Sequence, residues 1–443
     1  MREVLVKNEE FKDSPLGIIP KDWDVVSIDE IAVHVGSGIT PRGGSNVYTK
    51  EGILFIRSQN VTFSGLLLDE VAYINLRTHE SMKRSEIFAH DVLINITGAS
   101  IGRCCPVPQG LGTTNVNQHV CAIRLFNPNR QDAIFLSSVL ASHIGQSQID
   151  RLNAGGNREG LNYQQLRSFI IPFPPPEERA CIAEILDTVD EAIARTSSLI
   201  IKLKQTKAGL LQDLLTRGLD EDGKLRDPQA HPEQFKDSPL GKIPKDWQTP
   251  TFEEVTVDDA PICYGIVQPG TYVDSGVPVI AIQNLNTDYQ NNIHKSAQII
   301  ENRYIRSRVI HNDVLISVKG TIGRVGIVPF WFKGNISRDV ARIRLKSCAL
   351  PTYVRQMLLA PSSQKWLEKA VVGTTRAEIS IGILKKLRLL LPPKSEQELI
   401  ADILETHDNC IRTEEAYLNK LKLQKQGLMQ DLLTGKVRVK SIK

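Results

Sequence analysis

The chain has 443 residues, a length natural for about three structural units, and an ordinary globular composition with a net charge of only +4. No apolar run reaches the ~18–20 residues of a membrane helix, and the first residues lack the apolar core of a secretory signal. The seven scattered cysteines form no C-x-x-C pair, which suits a reduced cytoplasm and offers no zinc site.

Each half of the chain opens with a similar proline-containing segment. Residues 11–17 and 19–23 return almost unchanged as residues 235–241 and 243–247, each ending in a tryptophan. A shared surface loop would not explain this near identity, whereas duplication does. We therefore interpret the chain as two copies of one unit.

A region with mixed strand and turn signals follows each opening segment. In the first copy we predict a glycine-rich loop, three buried strands and a turn, at residues 36–44, 52–57, 91–96, 120–125 and 127–130. The second copy repeats the framework at residues 276–280, 313–316, 319–324 and 340–345. Between these landmarks the copies share little, as expected if one scaffold carries loops that bind different things.

A long helix closes each copy. Residues 177–217 and 395–434 follow proline clusters and carry apolar residues at alternating spacings of four and three, the pattern of a coiled coil. The predicted seam, meaning the apolar row along which the two helices pack, consists of Ile182, Leu186, Val189, Ile193, Ile200, Leu203, Leu210, Leu214, Ile400, Leu404, Ile411, Leu418, Leu421, Leu428 and Leu432. Residues 219–234, between the copies, indicate an exposed linker.

These elements predict an α/β (α+β) protein whose internal repeat has a pseudo-two-fold axis. We expect two globular domains with mixed sheets, separated by two long helices packed as an antiparallel coiled coil. The predicted divisions are a first globular domain at 1–174, a central helix at 175–218, a linker with the second globular domain at 219–391, and a distal helix with a C-terminal tail at 392–443.

No motif for catalysis or cofactor binding is evident. Lys242 and Lys436 follow glycines, but the next residue is not the Ser or Thr of a Walker A loop. The run at residues 127–129 falls short of the signature loop of DNA methyltransferases, and no metal-ligand spacing occurs. His119 and His407 are single histidines of a kind that is more often structural. We therefore predict no catalytic residue, no metal site and no cofactor bound by this chain.

Polar side chains gather in the loops beside the predicted strands of both copies. Arg can bond guanine edges, Asn and Gln can bond adenine edges, and Ser, Thr and backbone N–H groups hold phosphates. Any one polar loop residue is more often simply solvated, so the prediction depends on the whole set and on its repetition. The candidate DNA-binding residues are Ser37, Thr40, Arg42, Arg57, Gln59, Asn60, Thr97, Ser100, Arg103, Asn117, Gln118, His119, Asn157, Arg158, Tyr264, Gln268, Gln283, Asn284, Lys319, Thr321, Arg324, Ser337, Arg338, Thr374 and Arg376.

The order of these motifs resembles the specificity (S) subunit of type I restriction-modification systems over nearly the whole chain. Two motifs occur once in each half. The P-P-x-x-E motif, whose last residue is Glu178 or Glu396, begins each long helix, and the G-L-x-Q-D-L-L-T motif at 209–216 and 427–434 ends it. The opening segments and the loops at 97–103 and 319–324 complete the resemblance.

The resemblance implies that each globular domain is a target-recognition domain reading one half of a split site in double-stranded DNA. The helices would set the spacing and dock two modification (methyltransferase) subunits, which carry S-adenosylmethionine, and the assembly would recruit restriction (motor-nuclease) subunits that use ATP and Mg. This cytoplasmic subunit would itself catalyse nothing, bind no cofactor and contact no membrane. Lys207 and Lys425 occupy equivalent seam positions, and we expect the helix pair to open there towards partner subunits.

Two other function classes stay open. One is a coiled-coil scaffold with two protein-binding domains, which would enrich no DNA sequence from a random pool. The other is a single-chain DNA methyltransferase or nuclease, and binding of S-adenosylmethionine by the chain alone would favour it. The half-site sequences and their spacing are not implied, because the recognition loops differ between members of such a family.

Overall fold

The computed structural model describes residues 4–5, 11–153, 160–285, 289–371 and 378–439. The chain divides into two compact units, the first formed by Met1–Leu199 with Glu414–Lys443 and the second by Ile200–Thr413. Each unit therefore combines one globular region with parts of both long helices. Among the helices of the described ranges, none has the length and apolar composition needed to cross a bilayer.

Two sheets form the globular region of the first unit. The first sheet is antiparallel, with the strand order Cys104–Pro106, Val92–Asn95, Val120–Leu125 and Ala32–Ser37. The second sheet has the order Glu86–Ile87, Thr114–Val116, Ile53–Ile56, Ala72–Ile74 and Tyr48–Thr49, with its second and third strands parallel. Short antiparallel pairs join Val4–Leu5 to Arg438–Val439, Phe11–Ser14 to Gly17–Pro20, Asp24–Ser27 to Ile170–Phe173, and Val61–Thr62 to Gly65–Leu66.

Short helices flank these sheets. Their bounds are Ile28–Ile31, Leu76–Ser81, Arg130–Ala141, His143–Asn153 and Tyr163–Arg167. The residues predicted as a turn at 127–130 lead into a helix that begins at Arg130, where the Asn129 side chain accepts a hydrogen bond from the Asp132 backbone N–H at 2.8 Å. This is the geometry of an N-terminal helix cap.

The second unit repeats the topology of the first. Its antiparallel sheet has the order Val325–Ile327, Val314–Ser317, Val340–Ile343 and Cys263–Tyr264. Its second sheet has the order His294–Ser296, Val277–Ile280 and Asn335–Ile336, again with one parallel pair. Phe235–Ser238 pairs with Gly241–Pro244, and the helices are Phe252–Val255, Gln298–Glu301, Pro351–Leu359, Pro361–Lys369 and Ile381–Lys385.

A buried ion pair explains one of the repeated sequence landmarks. Asp91 is fully buried and its Oδ2 lies 2.7 Å from Arg124 Nη2, while Asp313 and Arg344 form the same contact in the second unit at 2.8 Å. Each aspartate also accepts a backbone N–H three residues earlier in the chain. Because a buried charge is costly without partners, both copies keep the aspartate and the arginine together.

The two long helices are Pro176–Thr216, the central helix, and Lys394–Leu432, the distal helix. Every residue of the predicted seam is buried or half-buried. In the first unit Asp190 lies 2.6 Å from Lys425, and in the second Lys207 lies 2.5 Å from Asp408. The expectation that the helix pair opens at the two lysines is therefore wrong, because each lysine closes the seam by pairing with an aspartate of the other helix.

The two helices run antiparallel within the first unit. Glu178, near the start of the central helix, contacts Arg438, just beyond the distal helix, whereas Asp190 contacts Lys425 further back along that helix. Their apolar sides join the sheet core, which includes Trp23, Ile182 and Leu432. The second unit has the equivalent core around Trp247, Leu214 and Ile400.

The predicted linker at residues 219–234 is only partly exposed. Leu219 is 4% exposed, and its backbone N–H donates to Glu396 at 2.7 Å. Arg226 also contacts Glu396, at 2.7 Å. The start of this segment is thus packed against the distal helix of the second unit, and the exposed part follows it.

Candidate nucleic-acid interface

The polar loops of the first unit meet at one place, which we call the first loop cluster (residues 37–42, 57–60, 97–103 and 117–119). Asn95 Nδ2 donates to the Ser58 carbonyl oxygen at 2.8 Å and to Ser100 Oγ at 3.1 Å, which ties two of these loops together. Thr97 Oγ1 lies 2.5 Å from His119 Nδ1 and ties in a third loop. The fourth loop crosses the sheet at Gly38, whose N–H donates to the Val120 carbonyl oxygen at 3.1 Å.

Glycine is required where the loop crosses the strand. A Cβ atom built on Gly38 would lie 1.7 Å from the Val116 carbonyl oxygen, and one built on Gly265 would lie 1.7 Å from the Ile336 carbonyl oxygen. No side chain tolerates such an approach to backbone, so both units keep a glycine there. The crossing fixes the loops at residues 37–42 and 264–268 against the sheets that carry them.

Asn60 and Asn284 have a structural role that the sequence prediction missed. They are 2% and 1% exposed. The Oδ1 atom of each accepts a backbone N–H three residues earlier, from Arg57 at 3.0 Å and from Ala281 at 2.9 Å. Buried and bonded in this way, they do not present an edge to a duplex. They shape the turns in which the preceding residues, Gln59 and Gln283, are exposed.

The remaining predicted residues of the first cluster are of three kinds: hydrogen-bonded, half-buried and exposed. One group is hydrogen-bonded inside the first unit: Thr97 contacts His119, and Asn117 accepts from the His119 N–H, both within the cluster. Ser37 contacts the Tyr163 hydroxyl and Ser100 accepts from Asn95, which lie just outside the cluster. Arg57 is half-buried with its guanidinium 6.0 Å from the ring centre of Tyr48. The exposed residues are Thr40, Arg42, Gln59, Arg103 and Gln118. Asn157 and Arg158 lie outside the described residues.

The second unit has an equivalent second loop cluster (residues 264–268, 282–284, 319–324 and 337–339). The Ser337 backbone N–H donates to the Ile280 carbonyl oxygen at 2.8 Å, and the Arg338 N–H donates to the Ile266 carbonyl oxygen at 2.9 Å. Of the predicted residues, Gln268, Gln283 and Thr321 are exposed, while Tyr264, Lys319, Arg324 and Arg338 are half-buried and Ser337 is buried. Thr374 and Arg376 lie outside the described residues.

Electrostatics differ between the two clusters at one equivalent position. The second unit has Lys319 where the first has Thr97, and Lys319 Nζ lies 2.9 Å from Glu378 and 5.7 Å from the ring centre of Tyr264. Burial raises the pKa of the Tyr264 hydroxyl, which accepts a hydrogen bond from the Ile381 N–H at 3.2 Å. Tyr264 therefore stays a neutral hydroxyl that positions this part of the cluster.

Sequence inspection missed the glutamines that anchor the loops at 97–103 and 319–324. Gln146 Nε2 donates to the Gly102 carbonyl oxygen at 3.2 Å, and Gln364 Nε2 donates to the Gly323 carbonyl oxygen at 3.0 Å. The two glutamines are separated by the same offset as the two long helices. That shared offset was the available signal.

A buried hydrogen-bonded group, which we call the first lock, joins two sequence motifs in the first unit. Glu178 accepts hydrogen bonds from Trp23 Nε1 at 3.0 Å and from Arg438 Nε at 2.8 Å. Burial lowers the pKa of Arg438, but the bonds to Glu178 and Asp22 outweigh burial and raise it, so the guanidinium is always charged. The opening tryptophan and the P-P-x-x-E glutamate thus belong to one contact.

The second unit contains the matching second lock. Glu396 accepts from Trp247 Nε1 at 3.0 Å and from Arg226 Nη1 at 2.7 Å. The two arginines come from related runs, Gly-Lys-Leu-Arg at 223–226 and Gly-Lys-Val-Arg at 435–438, that follow the two long helices. Each helix end therefore supplies the cation for the glutamate at the start of the other helix.

The described residues offer little for metal or covalent chemistry. Within the described ranges no group of three His, Cys, Asp or Glu side chains is placed to hold a metal ion. Burial raises the pKa of the Cys105 and Cys121 thiols to about 12, so both stay protonated and unreactive at neutral pH. The chemistry that the loop clusters can perform is hydrogen bonding and charge pairing, which suits recognition.

Comparison with known proteins agrees with this geometry. The model of the type I restriction modification DNA specificity domain matches residues 20–205 and 245–423, one match in each half. The chain is 26% identical to the type I restriction enzyme EcoBI specificity subunit of Escherichia coli, over 95% of this chain and 86% of the relative. It is 24% identical to the MjaVIII specificity subunit of Methanocaldococcus jannaschii, over 98% of both chains.

The fold also matches a solved structure. The type I restriction-modification system S subunit from M. genitalium superimposes with a TM-score of 0.59 at 14% identity, covering 93% of this chain and 96% of that one. The family match spans most of the chain and both repeats, so it supports the DNA-recognition interpretation over the scaffold and methyltransferase alternatives. The chain belongs to the family of type I restriction-modification DNA specificity domains.

Proposed function

We propose that this protein is the DNA-recognition subunit of a type I restriction-modification complex, in which each loop cluster reads one half of a bipartite site. The observation that carries the proposal is the pair of loop clusters on one repeated framework. Both clusters are held by the same glycine crossing and the same asparagine-bonded turn, yet their exposed residues differ apart from the shared glutamine at 59 and 283. A shared scaffold with different exposed side chains is what reading two different half-sites requires.

The exposed residues divide by chemistry. Arg42 and Arg103 can contact phosphates, which supplies affinity that falls with salt and does not depend on sequence. Gln59 and Gln118 in the first unit, and Gln283 in the second, carry amides that match the adenine edge. Each well-placed bidentate contact contributes about 1–3 kcal/mol of discrimination. The rigid turns below them keep the entropic cost of such contacts low.

We assign the long helices two roles. They set the distance between the half-sites, and they dock two modification subunits that carry S-adenosylmethionine, alongside restriction subunits that use ATP and Mg. Two recognition units linked in one chain gain affinity through effective concentration only when the half-site spacing fits. Phosphate contacts made by those partners would also offset the low net charge of this chain.

Selection from a random pool of duplexes tests the proposal. The full chain together with its modification subunit is expected to enrich two short sequence blocks separated by a fixed gap. Absence of any enriched sequence would favour a protein-binding scaffold. Labelled S-adenosylmethionine binding to the purified chain alone would favour a methyltransferase, and each of these results would overturn the assignment.

A further inference from the structure

The second unit carries an open cavity of about 760 Å³ on its three-stranded sheet, and we call it the aromatic pocket. Its floor includes Pro278 and Lys295, which are directly opposite each other on neighbouring strands. None of its lining residues belongs to the second loop cluster. The volume lies in the range of pockets that hold a small ligand, about 300–1,000 Å³.

Aromatic side chains form its walls. Phe332 and Tyr289 are 5% and 7% exposed, with ring centres 5.9 Å apart, and Trp331 packs edge-on against Phe332 at 5.9 Å. Tyr272 stands beside the pocket, held edge-on to His294 at 6.1 Å. Trp331 and Tyr272 are 42% and 56% exposed, so both outer rings keep solvent-accessible surface, and Trp331 packs on the buried pair.

Two lysines accompany these rings. Lys295 Nζ donates to the Asp274 carbonyl oxygen at 2.9 Å, which holds the ammonium in place, and it lies 3.6 Å from the exposed Asp274 carboxylate, an ion pair that a phosphate would have to displace. Lys333 is exposed next to Phe332. Both line the pocket. Exposed aromatic rings beside ammonium groups fit a ligand that combines a flat ring with negative charge.

The aromatic side chains of this pocket are not part of the framework that the two units share. Turns of equal length join equivalent strands in the two units, and both begin with Val-Pro, at residues 107–108 and 328–329. The first unit continues with Gln-Gly-Leu-Gly-Thr, whereas the second continues with Phe-Trp-Phe-Lys-Gly. The aromatic residues are thus specific to the second unit, and Phe330 among them is 79% exposed. Such exposed rings indicate a binding surface.

We infer that the aromatic pocket binds an unpaired nucleotide of single-stranded DNA, whose base stacks on Trp331 and Tyr272 and whose phosphates contact Lys295 and Lys333. Stacking platforms next to cations are the general mode of single-strand binding. Bases inside a duplex are stacked on each other and offer no free face, so a duplex does not fill this site. A proline-rich peptide also fits aromatic grooves, but it gains nothing from the two ammonium groups.

Tryptophan fluorescence of the full chain tests the inference. Of the four tryptophans, Trp23 and Trp247 are fully buried and Trp366 is half-buried, so Trp331 is the one most accessible to a ligand. Titration with a short oligothymidylate is expected to quench Trp331 saturably, and a blunt duplex or a proline-rich peptide should not. Subtracting the fluorescence change of Trp331→Phe from that of the wild type gives the contribution of Trp331 alone.

Binding by variants provides the second readout, measured with a labelled oligothymidylate. Trp331→Leu should weaken binding roughly five- to a hundredfold, as expected for loss of one base stack, whereas Trp331→Phe keeps a ring and should bind nearly as wild type. Lys333→Gln should reduce the slope of log affinity against log salt concentration by the amount expected for about one phosphate contact. Phe63→Leu, at an exposed ring of the first unit, is the matched control and should change nothing.

Three outcomes would overturn the inference. They are unchanged Trp331 emission at saturating oligothymidylate, wild-type binding by Trp331→Leu, and quenching by the proline-rich peptide with none by the oligonucleotide. Duplex selection does not involve this pocket. A failure here would therefore leave the bipartite recognition proposal intact, and a failure of duplex selection would leave the pocket intact.

Discussion

Removal of the buried charge at Glu178 is the sharpest structural test of the first lock. Glu178 and Arg438 have side chains only 7% and 8% exposed, and Glu178 Oε2 also accepts from the Trp23 indole at 3.0 Å. Glu178→Gln keeps the shape but leaves the guanidinium buried, with Asp22 as its remaining acidic contact in the lock. Loss of one partner from a buried ion pair costs about 3–5 kcal/mol, and we expect that loss here.

Native-state hydrogen exchange measures the stability of each unit separately, which is needed because the chain divides into two compact units. The amides of Asp24–Ser27, which pair with Ile170–Phe173 next to the lock, should exchange about 10²–10⁴-fold faster in Glu178→Gln. Val314–Ser317 in the second unit provides the internal reference and should not change. The added substitution Arg438→Met removes the buried guanidinium that has lost Glu178 and should restore part of the protection.

Asp22→Asn is the matched control, because Asp22 contacts the same guanidinium at 2.7 Å from a side chain that is 54% exposed. An exposed ion pair contributes about 0–1 kcal/mol, so exchange should rise less than about tenfold. Equal effects of Glu178→Gln and Asp22→Asn, or no effect of either, would refute the view that burial makes this contact decisive.

Three further pairs of substitutions, each at equivalent positions of the two halves, test other parts of the structure. Gly38→Ala places a Cβ 1.7 Å from a backbone atom, should destabilise the first unit by about 3 kcal/mol or more, and should remove one half-site from the consensus obtained by duplex selection. Gly265→Ala should remove the other half-site. Loss of both half-sites in either variant would contradict the view that each unit reads one half-site. Gly209 and Gly427 lie inside the long helices, where an added Cβ would meet no described atom within 4 Å other than its own helix backbone. Alanine at either should therefore stabilise the protein by ~0.5–1 kcal/mol in thermal unfolding, and a lower midpoint would contradict this expectation. Burial raises the pKa of Asp190 above its ordinary 3.8, whereas at the equivalent Asp408 burial is outweighed by hydrogen bonds from Lys207 and Gln356 that lower the pKa. Asp408 thus contributes stability above about pH 4 that is lost in acid, whereas Asp190 contributes stability below about pH 4 that is lost as pH rises. At neutral pH, Asp408→Asn should therefore lower the free energy of unfolding most and Asp190→Asn least. Parallel profiles of stability against pH for the two variants would contradict this assignment.

Local patterns in the sequence predicted the long helices and the main strands. The alternating spacing of four and three that begins at Ile182 and Leu186 defines a helix face without reference to anything distant. The strand at Val120–Leu125 was predicted with its observed bounds because its apolar run is flanked by turn residues. The helix at Arg130–Ala141 was not predicted, because eight consecutive residues from Ala133 to Leu140 are buried and leave no helical period to detect.

The loop clusters could be located but not resolved from the sequence. In the sequence Asn60 looks like an exposed polar loop residue. In the structure its side-chain amide bonds to the backbone and holds the turn that carries Gln59. The locks join residues as far apart as Glu178 and Arg438, and no local pattern connects such positions. The duplication was the exception, because any feature present in both copies at matching positions, such as Gln146 and Gln364, could have been inferred from the repeat alone.

The spacing role of the helices is the central claim, and a matched pair of insertions tests it most directly. Four residues inserted after Thr196, with four more near Asn419 in the distal helix, should lengthen the helix pair by about 6 Å, or roughly two base-pair steps. Duplex selection with the modification subunit present should then return the same two half-site sequences, separated by a gap about two base pairs longer. Selection of the original gap by the lengthened protein would contradict the claim that the helices set the spacing.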